Sequence, residues 1–174
     1  MRKSNRKVKR VAYSKHNEIV VFGLGLIPKQ GVPEIKITYR RTRKEFLGKI
    51  THSKDVADFI RKTFKAGTLE LQESFITLYL NTANEILGYY NHTVGGINAT
   101  LADRRLILAT ALASASVGII VSHNHPSGNI KPSEADIQLT RKLRDGASTL
   151  DIKLLDHVII TKSGYYSFAD EGML

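Results

Sequence analysis

The 174-residue chain contains no cysteine. That excludes a disulfide scaffold, a thiolate nucleophile and every zinc site built on sulfur, so any metal must be held by His, Asp or Glu. No stretch approaches the roughly 20 consecutive apolar residues that a membrane helix requires. The apolar run Ile19 to Ile27 follows a basic segment as in a signal peptide. Glu18 abuts it, two glycines interrupt it, and Pro28, Lys29 and Gln30 follow where small residues should mark cleavage, so it reads as a short strand. No membrane association and a cytoplasmic location are therefore expected. Acidic residues are scarce at one end only. Residues 1–50 hold 14 Lys/Arg against 3 Asp/Glu, whereas residues 51–174 hold 12 against 13. The formal charge of +10 thus belongs to an N-terminal extension of +11, and the remaining body carries −1.

Three regions follow from this partition. Residues 1–16 form a polar, cationic arm expected to be mobile. Residues 17–50 form a basic, β-rich extension, with strands over Ile19 to Leu24 and around Ile35, Ile37 and Tyr39. Residues 51–174 form the main domain. At 42% hydrophobic and 24% charged, the chain can bury a sizeable core.

Within the domain, Ser53 and Asp55 mark a helix start, with a Val56, Phe59, Ile60, Phe64 stripe and a stop at Gly67. Phe75, Thr77 and Tyr79 alternate with Ile76, Leu78 and Leu80, which predicts a central strand covered on both sides. A turn at Asn81 to Glu85 leads into a returning strand over Ile86 to Asn91, and Gly95-Gly96 breaks the chain. A helix over Asp103 to Ala115 precedes a buried strand, Val117 to Val121, and then a polar loop, Ser122 to Pro132. A helix from Ser133 to about Ala147 turns Ile137, Leu139 and Leu143 inward. Strands Leu154 to Thr161 and Tyr165 to Phe168 meet at Ser163-Gly164. The pattern is an α/β or α+β fold, a mixed sheet flanked by helices, without internal repeats.

The chemistry concentrates in Ser122-His123-Asn124-His125-Pro126-Ser127-Gly128 and in Ser133-Glu134-Ala135-Asp136. Side chains at i and i+2 of an extended backbone point the same way, so both imidazoles can face one point. Asp136 lies in the first turn of the following helix, where the chain can fold back to meet them. Two neutral imidazoles and a carboxylate suit zinc, with a fourth position left to water, as in catalytic rather than structural sites. The competing reading is local: Ser133 with Asp136 three residues on has capping-box spacing, which helix initiation alone explains. Gly23-Leu24-Gly25 is not a nucleotide fingerprint, because no helix with the right spacing follows. The contiguous His-Asn-His string does not match the nuclease motif drawn from separated parts of a ββα element. A zinc deaminase would need cysteines.

The pattern H-x-H-P-S-G-x(4)-S-x-x-D closely resembles the signature of the JAMM (JAB/MPN) metalloproteases, and its surroundings resemble the RadC branch. Leu155-Asp156-His157 and Tyr165-Tyr166-Ser167-Phe168-Ala169 are similar to that branch's C-terminal end. The resemblance covers roughly residues 50–174, and more weakly the strand at 34–41. It is to a short form, without the helical DNA-binding region that members of the branch typically carry ahead of the domain. It implies the JAB/MPN, cytidine-deaminase-like architecture and a zinc ion held by His123, His125 and Asp136. It further implies Glu73 as the carboxylate that binds the attacking water, and Ser133 as a donor to the oxyanion. Ser127 reads as a turn residue.

Read from the residues alone, Glu73 could equally be a solvated strand end. Glu70 sits on a loop, and Glu85 sits in a turn a full strand length away. His157 reads as structural, with a hydrogen bond near the site. Arg104-Arg105 reads as a solvated helix face. His16, His52 and His92 carry no functional expectation.

The resemblance implies a zinc-dependent hydrolase that cleaves a peptide or isopeptide bond in a peptide or protein substrate, with a family association to DNA repair. The alternative is a DNA-associated or protein-interaction module that uses the fold without significant catalysis. The basic N-terminus is the expected point of non-specific nucleic-acid contact. Its aromatic interleaving is sparse, with only Tyr13 before Phe22.

Overall fold

The computed structural model describes residues 23–25, 34–36, 48–64, 67–94 and 102–174. The arm expected at 1–16 and the break expected at Gly95-Gly96 lie outside these residues. Of the extension, strands β1 (Gly23–Gly25) and β2 (Glu34–Lys36) are described, paired antiparallel with Leu24 opposite Ile35.

The domain is built from helices α1 (Ser53–Thr63), α2 (Arg104–Ala113) and α3 (Glu134–Ser148). Its strands are β3 (Ser74–Leu80), β4 (Ile86–Val94), β5 (Gly118–Asn124), β6 (Lys153–Ile160) and β7 (Tyr165–Ser167). The strands form one sheet in the order β4-β3-β5-β6-β7. Only β5 and β6 run parallel, joined by the crossover through α3. The other pairs are antiparallel. This is the expected mixed sheet between helices.

Alternation along the strands explains the layers. Ile76, Leu78 and Leu80 of β3, with Ile120, Val158 and Ile160, pack against Val56, Ala57 and Ile60 of α1. Phe75 and Tyr79, with Ile119, Val121 and Leu154, pack against Ile107 and Ala111 of α2 and Leu143 and Ala147 of α3. Both faces of β3 and β5 are therefore covered, and all seven residues of each are buried. Among the described residues, no helix is long and apolar enough to cross a membrane.

Three local expectations are corrected. Ser53 is the first helical residue of α1 rather than its cap. His52 precedes it, and the Asp55 carboxylate accepts from the amides of Thr51 and His52. The loop expected from Ser122 begins later, because β5 runs on through Asn124. Its polar end stays in the sheet because each side chain finds a partner: Ser122 Oγ donates to the Val158 carbonyl at 2.7 Å, and Asn124 is satisfied as described below. In α3, Ile137 is only half-buried, and the buried face passes through Thr140, Leu143 and Ala147. The first turn of that face carries Asp136, so the helix presents polar groups at its start and apolar groups beyond.

Candidate metal centre

The two histidines stand at the end of β5. Phe75 pairs with His123 across β3 and β5, and the Phe75 ring stacks on the imidazole at 6.1 Å. His125 lies just past the strand, and its amide still donates to the Ile160 carbonyl at 2.9 Å. Pro126 and Ser127 then turn the chain. Gly128 adopts φ +79°, a backbone region that disfavours other residues, and its amide donates to the His125 carbonyl. The Ser127 hydroxyl accepts from the Asn129 amide at 3.4 Å, in keeping with a turn role.

Ser133 caps α3, and both sides of a capping box are made. The Ser133 hydroxyl accepts from the Asp136 amide at 3.2 Å, and the Ser133 amide donates to Asp136 Oδ2 at 2.7 Å. The hydroxyl proton is given to the same Oδ2, at 2.6 Å. The local reading of S-x-x-D is thus realised, yet it does not compete with the site. The box clamps the carboxylate in a fixed orientation, with Oδ1 3.2 Å from His123 Nε2 and Oδ2 3.7 Å from His125 Nε2.

The two Nε2 atoms lie 3.0 Å apart, so His123, His125 and Asp136 converge on one point. A tetrahedral ion with bonds of about 2.0–2.2 Å spaces its ligand atoms about 3.3–3.6 Å apart; the three ligand atoms, one from each residue, lie within 4.8 Å of one another. Hydrogen-bond bookkeeping points the same way. His125 Nδ1 lies 2.6 Å from the Asn129 carbonyl oxygen, which can only accept. A neutral His125 therefore carries its proton on Nδ1 and turns the bare lone pair of Nε2 toward Asp136. A lone pair and a carboxylate facing one another repel unless a cation lies between them. Burial works to raise the Asp136 carboxyl. The nearby His123 ring, and then the Ser133 donors, outweigh it and hold the group well below the usual carboxylate range. His123 is buried, whereas the side chains of His125 and Asp136 remain 18% and 14% exposed, so the cluster is open to solvent on one side.

Glu73 is not one of the converging groups. Its residue immediately precedes β3, and continuing the β3–β5 register by two residues sets it opposite His125. Glu70 pairs with Lys162 at 2.9 Å on the exterior. Glu85 accepts from Asn81 Nδ2 at the far end of β3, next to the pairing of Leu80 with Ile86. Neither belongs to the cluster of His123, His125 and Asp136.

Sequence reasoning passed over Asn124. Lying between two histidines that face one side, it faces the other, fully buried. Its Oδ1 accepts from the Ser74 amide at 2.8 Å, and its Nδ2 donates to the carbonyls of Gln72 and Leu69 at 2.9 and 2.7 Å. One side chain thus grips the backbone on both sides of Glu73. The available signal was an amide at the middle position of an extended His-x-His, where alternation sends it into the opposite core.

His157 is also fully buried and hydrogen-bonded to His123, as the structural reading had it. His92 packs edge-on against Phe75 and lies 3.0 Å from Thr77 Oγ1, and burial pulls its imidazole down to about 4. Arg105 pairs with Asp103 at 2.8 Å and its side chain is 92% exposed, a solvated helix start. The groove between α2 and α3 that these residues border is lined by none of the three converging groups.

Asn124→Ala should leave the Gln72 and Leu69 carbonyls and the Ser74 amide without partners. Of the three residues only Ser74 is buried, so a loss of about 1–3 kcal/mol in urea unfolding is expected, the cost of one orphaned buried group. The Ser74 amide should also lose its protection from hydrogen exchange. An unchanged Ser74 exchange rate would refute the clamp.

Comparison with known proteins agrees with this architecture. Residues 50–173 match the model of the RadC-like JAB domain. The chain is 42% identical over 137 residues to a UPF0758 protein of Flavobacterium johnsoniae, covering 77% of this chain and 58% of that one. It is 46% identical over 104 residues to one of Porphyromonas gingivalis, covering 59% and 46%. A third, from Methanosarcina mazei, is 40% identical over 126 residues, covering 72% and 54%. The chain spans about half the length of the curated relatives it matches. With a matching domain model over most of its length, a five-stranded mixed sheet between three helices and the His-His-Asp cluster at the end of β5, this chain belongs to the RadC-like JAB domain family.

Proposed function

We propose that the domain is a zinc-dependent hydrolase of the JAMM type that cleaves a peptide or isopeptide bond. One observation carries the reading: two imidazoles and a carboxylate turn toward one point, with the His125 ring held from behind by the Asn129 carbonyl. That donor set, without sulfur and open to solvent on one side, suits zinc with a fourth position free. Bound there, zinc supplies a Lewis acid for the scissile carbonyl and lowers the pKa of a coordinated water toward about 7.

The chain's own residues supply the remainder. Glu73, whose flanking backbone Asn124 grips, takes the proton of the attacking water and returns it to the leaving amine. Ser133 donates to the oxyanion. Its hydroxyl proton rests on Asp136 Oδ2, so it must turn from that oxygen to reach the substrate. Asp136 stays oriented through the Ser133 amide.

Purified protein is expected to bind one zinc per chain. His123→Ala and Asp136→Ala should abolish stoichiometric binding, and Glu73→Gln should retain the metal while losing hydrolysis of a peptide or isopeptide substrate. Full zinc occupancy in both ligand variants, measured by metal analysis after dialysis, would remove the assignment.

The charge partition supports a second element. The +11 of residues 1–50 beside the −1 of the body favours a salt-sensitive, sequence-independent attraction of the N-terminal segment to nucleic acid. Deleting residues 1–16 removes seven Lys/Arg and no acidic residue. The truncated chain should fold and elute from an oligonucleotide column at lower salt. Elution at the same salt would show that the arm is not the binding element.

A further inference from the structure

The proton positions around His123 can be worked out from its neighbours. Thr140 sits one helical turn beyond Asp136, with its Oγ1 2.6 Å from the Asp136 carbonyl oxygen and 2.6 Å from His157 Nδ1. Each of these contacts needs a proton, and the hydroxyl owns one. The carbonyl brings none, so the hydroxyl proton lies on that side, and His157 Nδ1 must bring its own. His157 Nε2 in turn lies 2.9 Å from His123 Nδ1.

The His157 ring has no exposed surface. It is stacked on Phe168 at 4.7 Å, and its nitrogens are taken by Thr140 and His123, neither of them an anion. With no anion on either nitrogen, nothing offsets the cost of burying a charged ring there, and the ring is neutral. A neutral ring protonated on Nδ1 has a bare Nε2, so the proton between the two histidines belongs to His123 Nδ1. What remains on His123 is Nε2, the atom that faces His125 and Asp136.

We propose that Thr140 and His157 are positioning residues: together they lock His123 with its proton on Nδ1, so that Nε2 is presented to the metal as a ligand. The inference rests on the reading of His123 as a zinc ligand and adds what sets its tautomer. Its geometry is economical. The carbonyl that receives the Thr140 proton belongs to Asp136, so one ligand's backbone fixes the hydrogen bonding of another ligand's ring. Partners of this kind commonly alter metal affinity 10–100-fold.

The test combines proton placement and affinity. Long-range 1H–15N spectra of the histidine rings in the metal-free protein should show protons on Nδ1 of both His157 and His123, and none on Nε2 of His157. In a zinc competition titration against a chromophoric chelator, Thr140→Val should weaken binding about tenfold or more. Thr140→Ser, which keeps the hydroxyl, should bind as the wild type does. A proton on His157 Nε2 would overturn the proposal, and so would Thr140→Val binding zinc as tightly as wild type. If Thr140→Val does not fold, the wild-type spectra decide alone. If the wild type shows the assigned protons but takes up no zinc, the metal reading fails while the tautomer assignment stands.

Discussion

Groups that only accept hydrogen bonds repel one another when they face a common point, and most of the architecture can be understood as what holds such a set in place. His123 and His125 are fixed by the end of β5 and its pairing with β6. Asp136 is fixed by the capping box of the helix that crosses from β5 to β6. The parallel pairing of those two strands forces that crossover. The start of α3 therefore returns to the strand end it left, as the topology of a parallel pair requires. The cluster depends on that one connection. Leu143 and Ala147, two turns or more along the same helix face, keep α3 seated on the sheet.

Within this frame one short stretch does two jobs, one on each face. Odd-numbered positions at the end of β5 carry the histidines toward α3. Asn124, between them, reaches to the opposite side and binds the segment that leads into β3. The histidine pair and the segment bearing Glu73 are thereby tied through a single peptide of β5. A change at Asn124 would loosen the candidate base without touching a candidate ligand.

Much of this was legible in the residues. His-x-His on an extended chain implies two side chains on one face, and Asp136 at the third helical position implies a carboxylate near the helix start. The covered central strand at 75–80 also followed from pattern. Ser122, His123 and Asn124 were harder, because three polar residues after an apolar run look like a loop. Only their hydrogen bonds across the sheet show why they can stay buried. The inward face of α3 was misplaced at Ile137 for a related reason. Hydrophobic periodicity cannot register Thr140, a polar residue buried by a hydrogen-bonded partner rather than by apolar contact. Glu73 was reached through resemblance, since a lone glutamate before a strand carries little signal of its own.

The central claim is that the three converging groups form one zinc site with an open position. X-ray absorption at the zinc edge of the loaded protein measures this directly. The account predicts two imidazole nitrogens and light oxygen donors, with first-shell distances of about 2.0–2.2 Å and a total coordination of four or five. A shell of six oxygens, or one with no imidazole scattering, would place the metal elsewhere and contradict it.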